Sequence, residues 1–583
     1  MAKFLIFKAL AIVVIVIASG MAQAQWPDNA DSNLVINDQS GAQAIPKVAT
    51  TSDGGCFVSF YNNSSGNYDM YMQYLNADGE IQWTLNGLAI SEHPQETWLT
   101  DYSMTVDHED HAIVTFNDSR AGSDWDIYAY RISPLGDFVW GADGLTLSAN
   151  DGFEPDPQVT VTSSGNIVFA WQEEYMIHLR KVNPSGADMW DPATITLTDT
   201  YGLSMPRIAS ADNDGVILQV LVSTGPNYWD PKHIYAHKFD SLGTALWGGS
   251  GVAVSTAGGI GMQMVPSLAD DGNGGAYSYW YDTRAMDHHV YVQHLTHLGV
   301  AEWTADGVQT CLTAGQLQMS PALARLGETG DVLVFYNATN SSQSQVGIQG
   351  QRINSDGTRQ WTDNGVILEP LSNQSLWDIY AFTLEDGAVI TYFDTPDGDV
   401  VNSYVKAIRV DENGNQVWDT TPAYMCSYLA GKVHLDATIN VHGQVIAAWE
   451  DKRIDSSADI YLQNINPDGS LGEYSVAPDG LEYLPGDANM ANGVWPPAVI
   501  GSDVTYMVGY FRGLETSPSC LLESFWTSAD ANGDCNVIGS DVTKMVSYFR
   551  GLSEVSYCVD YEPVWLSPDD LPVDAPSGWP NCE

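Results

Sequence analysis

The chain has 583 residues, enough for more than one domain, with 73 Asp and Glu against 22 Lys and Arg and a net charge of −51. That excess repels phosphate backbones and anionic lipid, which excludes nucleic acid as a partner, and it favours divalent cations. Beyond the first residues no stretch is long and apolar enough to span a bilayer, so no transmembrane anchor is expected.

In chain order, residues 1–24 come first. Lys3 and Lys8 flank an apolar run from Ala9 to Ala18 that leads to Ala22-Gln23-Ala24. A basic start, a short apolar stretch and a small-x-small site describe a secretory signal peptide cleaved after Ala24. The expected location is therefore secreted, extracellular or at the cell surface.

From residue 26 to about 473 the sequence repeats. Trp83, Trp140, Trp190, Trp247, Trp303, Trp361 and Trp418 follow one another at intervals of 57, 50, 57, 56, 58 and 57 residues. Each stands four residues after a glycine: Gly79, Gly136, Gly186, Gly243, Gly299, Gly357 and Gly414. A period above 50 residues points to a propeller, solenoid or array. In the first unit, Pro46–Ala49, Cys56–Tyr61, Tyr71–Leu75 and Gly87–Ile90 read as strands separated by turns such as Asn76-Ala77-Asp78-Gly79. Four short strands per unit without a helical period give a mainly β fold, a β-propeller of four-stranded blades.

The ends suggest how the ring closes. The unit from about Val433 to Gly469 has the glycine but no tryptophan, whereas Trp26 lies 57 residues before Trp83 without a preceding glycine. Residues 26–45 are therefore expected to complete the last blade, giving eight blades. A seven-bladed ring is the alternative, with the short third unit non-standard. The repeated Trp reads as inter-blade packing.

A weaker recurrence, aromatic-x-Asp-x-Arg or a near variant, occurs at Phe116–Arg120, Trp280–Arg284 and Trp449–Arg453. Asp and Arg two apart pair with each other or cap backbone groups; the alternative is that these loops present charge to a ligand. Trp98, Trp125, Trp229 and Trp377 lie outside the repeat register and suit either sugar stacking or packing. Asp212–Gly215 and Asp270–Gly274 are expected to be hairpin turns. There is no Gly-x-Ser-x-Gly, His-Glu-x-x-His or phosphate loop, and among 73 acids no catalytic pair stands out, so no catalytic residue is nominated.

Near the C-terminus, Val499–Thr505 recurs as Val537–Thr543, and both copies continue into Met-Val-x-Tyr-Phe-Arg-Gly-Leu. The second copy follows a twelve-residue loop with Asp530, Asn532, Asp534 and Asp541 at positions 1, 3, 5 and 12, and Asn536 offers its carbonyl at position 7. Such a loop supplies the six to eight oxygens a calcium ion requires. In the helix behind it, Val542, Met545, Val546 and Phe549 form an apolar stripe. The first copy offers Asp487, Asn489 and Asp503, but five additional residues around Trp495-Pro496-Pro497 lengthen its loop and Ala491 replaces an acid. In the second loop Cys535 takes the sixth position, where the sharp turn ordinarily uses Gly.

Loop plus single helix in tandem, across residues 485–553, resembles the dockerin family. The resemblance implies a small α-helical module with two EF-hand-like calcium loops that attaches a secreted protein to a cohesin-like scaffold or cell-surface protein. It also implies partner contacts from Ser502, Tyr510 and Arg512 and from their duplicates Ser540, Tyr548 and Arg550. Residues 554–583 form a Pro-rich tail. Cys520, Cys535, Cys558 and Cys582 crowd the last 64 residues and suggest two disulfides in one of three pairings. Cys56, Cys311 and Cys426 read as buried fillers.

Three functions fit. One is a secreted, non-catalytic protein whose propeller holds a carbohydrate or protein ligand. Another is a carbohydrate-active enzyme of polysaccharide catabolism, hydrolase or lyase. The third is a structural or adhesive envelope protein.

Overall fold

The computed structural model describes residues 25–95, 100–122, 125–261, 264–327, 330–399, 401–418 and 421–473. Toward the C-terminus it describes 486–488, 499, 501–512, 528–529, 531–532, 539–552 and 555–556. The leader-like residues 1–24 lie outside these. The chain divides into two compact units, residues 1–474 and 475–583.

The first unit is built of antiparallel sheets whose strands follow one another in sequence order. Six of them have four strands and one has seven. In the first unit of the repeat the strands are Gln43–Thr50, Cys56–Asn62, Tyr68–Leu75 and Leu88–Gln95, close to the positions that the alternation of turns and β-branched or aromatic runs predicts. The short third unit keeps all four strands, Gln158–Val161, Ile167–Glu173, Met176–Val182 and Thr194–Leu197; its brevity comes from the tight connection at Glu174-Tyr175.

Eight separate four-stranded units are expected from the repeat, and the pairing corrects this to seven sheets. The cause is the 17-residue strand Ala423–Ile439. Its first half pairs with Asn402–Asp411 and its second half with Val445–Asp451, so two quartets share one strand. The last quartet takes its outer strand from the other end of the unit: Leu34–Asn37 pairs with Asp459–Ile465. The N-terminal segment thus completes the final repeat.

The quartets form a propeller-like ring. First strands lie side by side around most of the ring, from Gln43–Thr50 against Ser103–Val106 to Ala423–Ile439 against Gln43–Thr50, and Gln316–Leu326 packs on Ala276–Asp282 and His289–Leu295 of the quartet before it. The apolar core is divided among the junctions between quartets. At the closing junction Trp26, Leu34 and Ile36 meet Val48, Val58, Ile446 and Ile460.

Each junction is stapled by the repeated tryptophan. Its indole N–H donates to a carbonyl in the turn of the following quartet, as Trp83 does to Pro134, Trp247 to His297 and Trp418 to Pro467. Trp26 makes the same bond to Ala77 at 2.9 Å, filling the register in which the last repeat has no tryptophan. The repeated glycine is explained by the same contact. Gly299 has φ +79°, and a Cβ there would stand 2.7 Å from the Trp247 ring, so only glycine satisfies both turn and neighbour.

In the second unit, α1 (Gly501–Phe511) and α2 (Gly539–Phe549) pack on a small core of Ala488, Met507, Ala529, Ala531 and Met545. Phe549, at the end of the apolar stripe, is 45% exposed, as Phe511 is at 44%, because the buried core ends one turn earlier at Met545. Among the described residues no helix is long and apolar enough to cross a membrane.

Candidate functional site

The first strands carry a second recurrence, near their starts. Ile45, Asp156, Met205, Ser320, Asp378 and His434 all have φ between 51° and 54°, and in five of these strands the pairing register slips across that residue. These five are bulges, which kink a strand and re-aim its side chains, and Asp156 takes the same backbone turn just before its strand. Proline follows at 46, 157, 206 and 321, a position where a bulge tolerates the missing N–H. Proline after four of the six residues was the sequence signal for this feature, and the tryptophan period hides it.

Two residues after the bulge residue, the side chains differ from quartet to quartet: Lys47, Gln158, Arg207, Tyr380 and Asp436. Together with Asp101 they line a cavity of about 410 Å³ among the first strands. Lys47 Nζ lies 2.9 Å from Asp101 Oδ1. Burial alone would lower the Lys47 pKa, but Asp101 and Asp436 outweigh it and raise it. Arg207 is lowered by burial against the opposing pull of Asp101 and Asp156. Asp436 accepts the Val48 N–H at 2.8 Å and a hydrogen bond from Tyr380. Burial pushes its carboxyl up to about 6, despite Lys47 and these bonds. A carboxyl there is poised to give or take a proton near neutrality, and Asp101, half-exposed in its ion pair, is a second carboxylate on the same cavity.

The Asp-x-Arg loops resolve as internal pairs. Arg284 Nε stands 2.8 and 2.9 Å from the Asp282 carboxylate, its guanidinium lies 3.8 Å from the Tyr291 ring centre, and it reaches Ser255 of the preceding quartet. Arg120 repeats this with Asp118, Tyr128 and Ser91, and Arg453 pairs with Asp451 over Tyr461. These guanidiniums also reach the preceding quartet, at Ser91, Ser255 and Cys426, and so hold quartets together. The acidic segments at 212–215 and 270–274 are hairpin turns, and their acids also bind Lys238, Lys181 and His294. Cys56, Cys311 and Cys426 are buried and unpaired. Trp377 packs on Phe393 at 4.5 Å; Trp98 lies outside the described residues.

In the second unit the described calcium candidates are Asp487, Asp503, Asn532 and Asp541. The three aspartates are fully buried. Asp541 accepts the Asn532 N–H at 3.1 Å, folding position 12 of the loop back onto position 3, and Asn532 Nδ2 donates to Ser540 Oγ at 3.0 Å. Buried oxygen donors on a closed loop suit a hard cation. Asn489, Asp530, Asp534 and Asn536 lie outside the described residues, and among the described residues no three His, Cys, Asp or Glu side chains converge as a metal site. Ser502, Arg512, Ser540 and Arg550 are exposed and Tyr548 is half-buried. Only the backbone of Tyr510 is described, and Cys520, Cys535, Cys558 and Cys582 lie outside.

No family model and no curated protein matches the chain. Among solved structures it is similar to a protein of unknown function from Dyadobacter fermentans, at 10% identity and TM-score 0.37, covering 76% of this chain and 98% of that one. A polysaccharide lyase, Uly1, aligns at 9% identity and TM-score 0.39 over 66% of this chain and 94% of that one. A Penicillium chrysogenum α-L-arabinanase complexed with arabinobiose aligns at 13% identity and TM-score 0.31, over 53% and 92%.

Proposed function

We propose that this is an exported carbohydrate-active protein: an eight-bladed propeller that takes a glycan at the cavity among its first strands and acts on it. The observation that carries this reading is Asp436, a carboxyl raised to about 6 in an open cavity that also holds Asp101, Lys47 and Tyr380. In it, Asp436 serves as the proton donor to a leaving sugar oxygen, and Asp101 as the carboxylate that stabilises or activates the attacking group. Export is the reading of the leader-like residues 1–24.

The C-terminal unit is a dockerin-like attachment module for a cohesin-like partner. Calcium in each loop supplies the charge that allows Asp487 and Asp503 of the first and Asp541 of the second to be buried, with Asp530, Asn532, Asp534 and Asn536 completing the second loop and Asn489 the first. Exposed Phe511, Phe549 and Leu552 beside Arg512 and Arg550 give it a mixed apolar and basic contact surface.

A second reading, a non-catalytic glycan holder, is favoured by the Val48 N–H bond to Asp436, which ties that carboxyl into the scaffold. Chromatography of digests of neutral polysaccharides separates the two. Enzymatic action predicts oligosaccharides from the wild type and about 100-fold fewer from Asp436→Asn. Binding without release from any polysaccharide leaves the holder reading standing.

A further inference from the structure

Three successive quartets carry exposed aromatic side chains at the end of the sheets that bears the loops between second and third strands. Phe153, Tyr175, Tyr201, Tyr228 and Trp229 are 47–69% exposed, and Trp125 stands 5.5 Å from Phe153, ring to ring. An exposed aromatic is unremarkable alone, but a continuous set marks an interaction surface.

Continuity is visible in the backbone. Glu174 N–H donates to Phe153 O, Leu203 N–H to Tyr175 O and Ser223 N–H to Gly202 O, which joins the three quartets' loops into one band. Gly202 also gives Tyr175 its seat, since a Cβ there would lie 2.7 Å from the Tyr175 Cβ. Beyond Ser223, the loop bearing Tyr228 and Trp229 is braced by Asp230 accepting the Asn227 N–H at 2.8 Å and by Thr224 Oγ1 donating to Pro231 O at 2.6 Å. The two rings pack edge to face at 4.9 Å. The aromatics are therefore presented by fastened loops, which lowers the ordering cost of stacking on a ligand.

The charge around them selects the partner. Residues 149–156, 173–176, 198–203 and 223–231 contain Asp151, Glu154, Asp156, Glu173, Glu174, Asp199 and Asp230 and no Lys or Arg. Such a band repels polyuronates and sulfated glycans and offers acceptors to hydroxyl groups, while the rings offer apolar faces.

We propose that this band is an extended binding surface for a neutral polysaccharide chain, separate from the cavity that holds Asp436. It deepens the glycan reading above and rests on it.

Affinity electrophoresis of the full chain in gels containing barley β-glucan, arabinoxylan, galactomannan or polygalacturonate tests it. The wild type is expected to be slowed by at least one neutral polymer and not by polygalacturonate. The triple variant Tyr175→Ala/Tyr228→Ala/Trp229→Ala should bind about ten-fold more weakly, with Trp229→Phe close to wild type as the control for folding. The triple variant should still release product from short oligosaccharides. No retardation by any neutral polymer overturns the proposal. So does equal retardation of the triple variant, or a loss of retardation confined to Asp436→Asn, which would put all binding in the cavity.

Discussion

The two ends of the propeller sheets obey different rules. At the hairpin between third and fourth strands every quartet repeats one solution, a glycine under a tryptophan, with Trp26 supplying the copy that the last repeat lacks. At the bulge of the first strand the backbone repeats but the side chains do not: Lys47, Gln158, Arg207, Tyr380 and Asp436 occupy equivalent places. The difference teaches that a ring of this kind spends its repetition on closure. The proposed glycan site lies where equivalent positions have diverged.

That contrast can be broken at its structural end. Trp247→Ala removes a buried indole and its bond to His297, and is expected to cost about 3–5 kcal/mol in urea unfolding. Trp26→Ala should cost a similar amount if it is a true member of the set; a cost near zero would show that the ring does not depend on its N-terminal strand. Arg284→Met leaves Asp282, fully buried, without its guanidinium, and about 3 kcal/mol should be lost.

The second unit sharpens the contrast from outside the ring. If calcium holds Asp487, Asp503 and Asp541, saturation at about 100 times the dissociation constant adds ~2.7 kcal/mol to that unit alone. A chelator should then abolish its calorimetric transition and leave the transition of the ring in place.

The smallest effect is at the divergent end. Asp436 has its carboxyl raised from the ordinary 3.8 to about 6, so the protonated form is favoured by folding. Its stabilising contribution is complete below pH 4 and is lost as pH rises through 6. Asp436→Asn should therefore raise stability by about 1–2 kcal/mol at pH 7.5, allowing for solvent at the cavity mouth, and leave it unchanged at pH 3.5. Equal shifts at both pH values would mean that Asp436 does not titrate in this range.

The scaffold was legible because its rules are local. Glycine at positive φ and tryptophan four residues later recur at a fixed distance, and strand lengths follow from turn residues. What was not legible is which residues face one another across the ring. Lys47 and Asp101 are separated by one repeat and Lys47 and Asp436 by nearly the whole ring, and their meeting depends on closure and on bulges that re-aim them. The shared strand Ala423–Ile439 was missed for the same reason, since two quartets fused by one long strand look like two separate units when each is read from its turns. Phe549 lies on the apolar stripe yet is exposed, because helical periodicity marks a face without marking where the small core ends.

The most direct test is the crystal structure of the full chain soaked with a neutral oligosaccharide that it binds. Divergent bulge positions as the functional end predict sugar density in the cavity, within hydrogen-bonding distance of Asp436, Asp101 or Tyr380. Sugar bound only at the tryptophan–glycine hairpins, with the cavity free of it, would contradict the account.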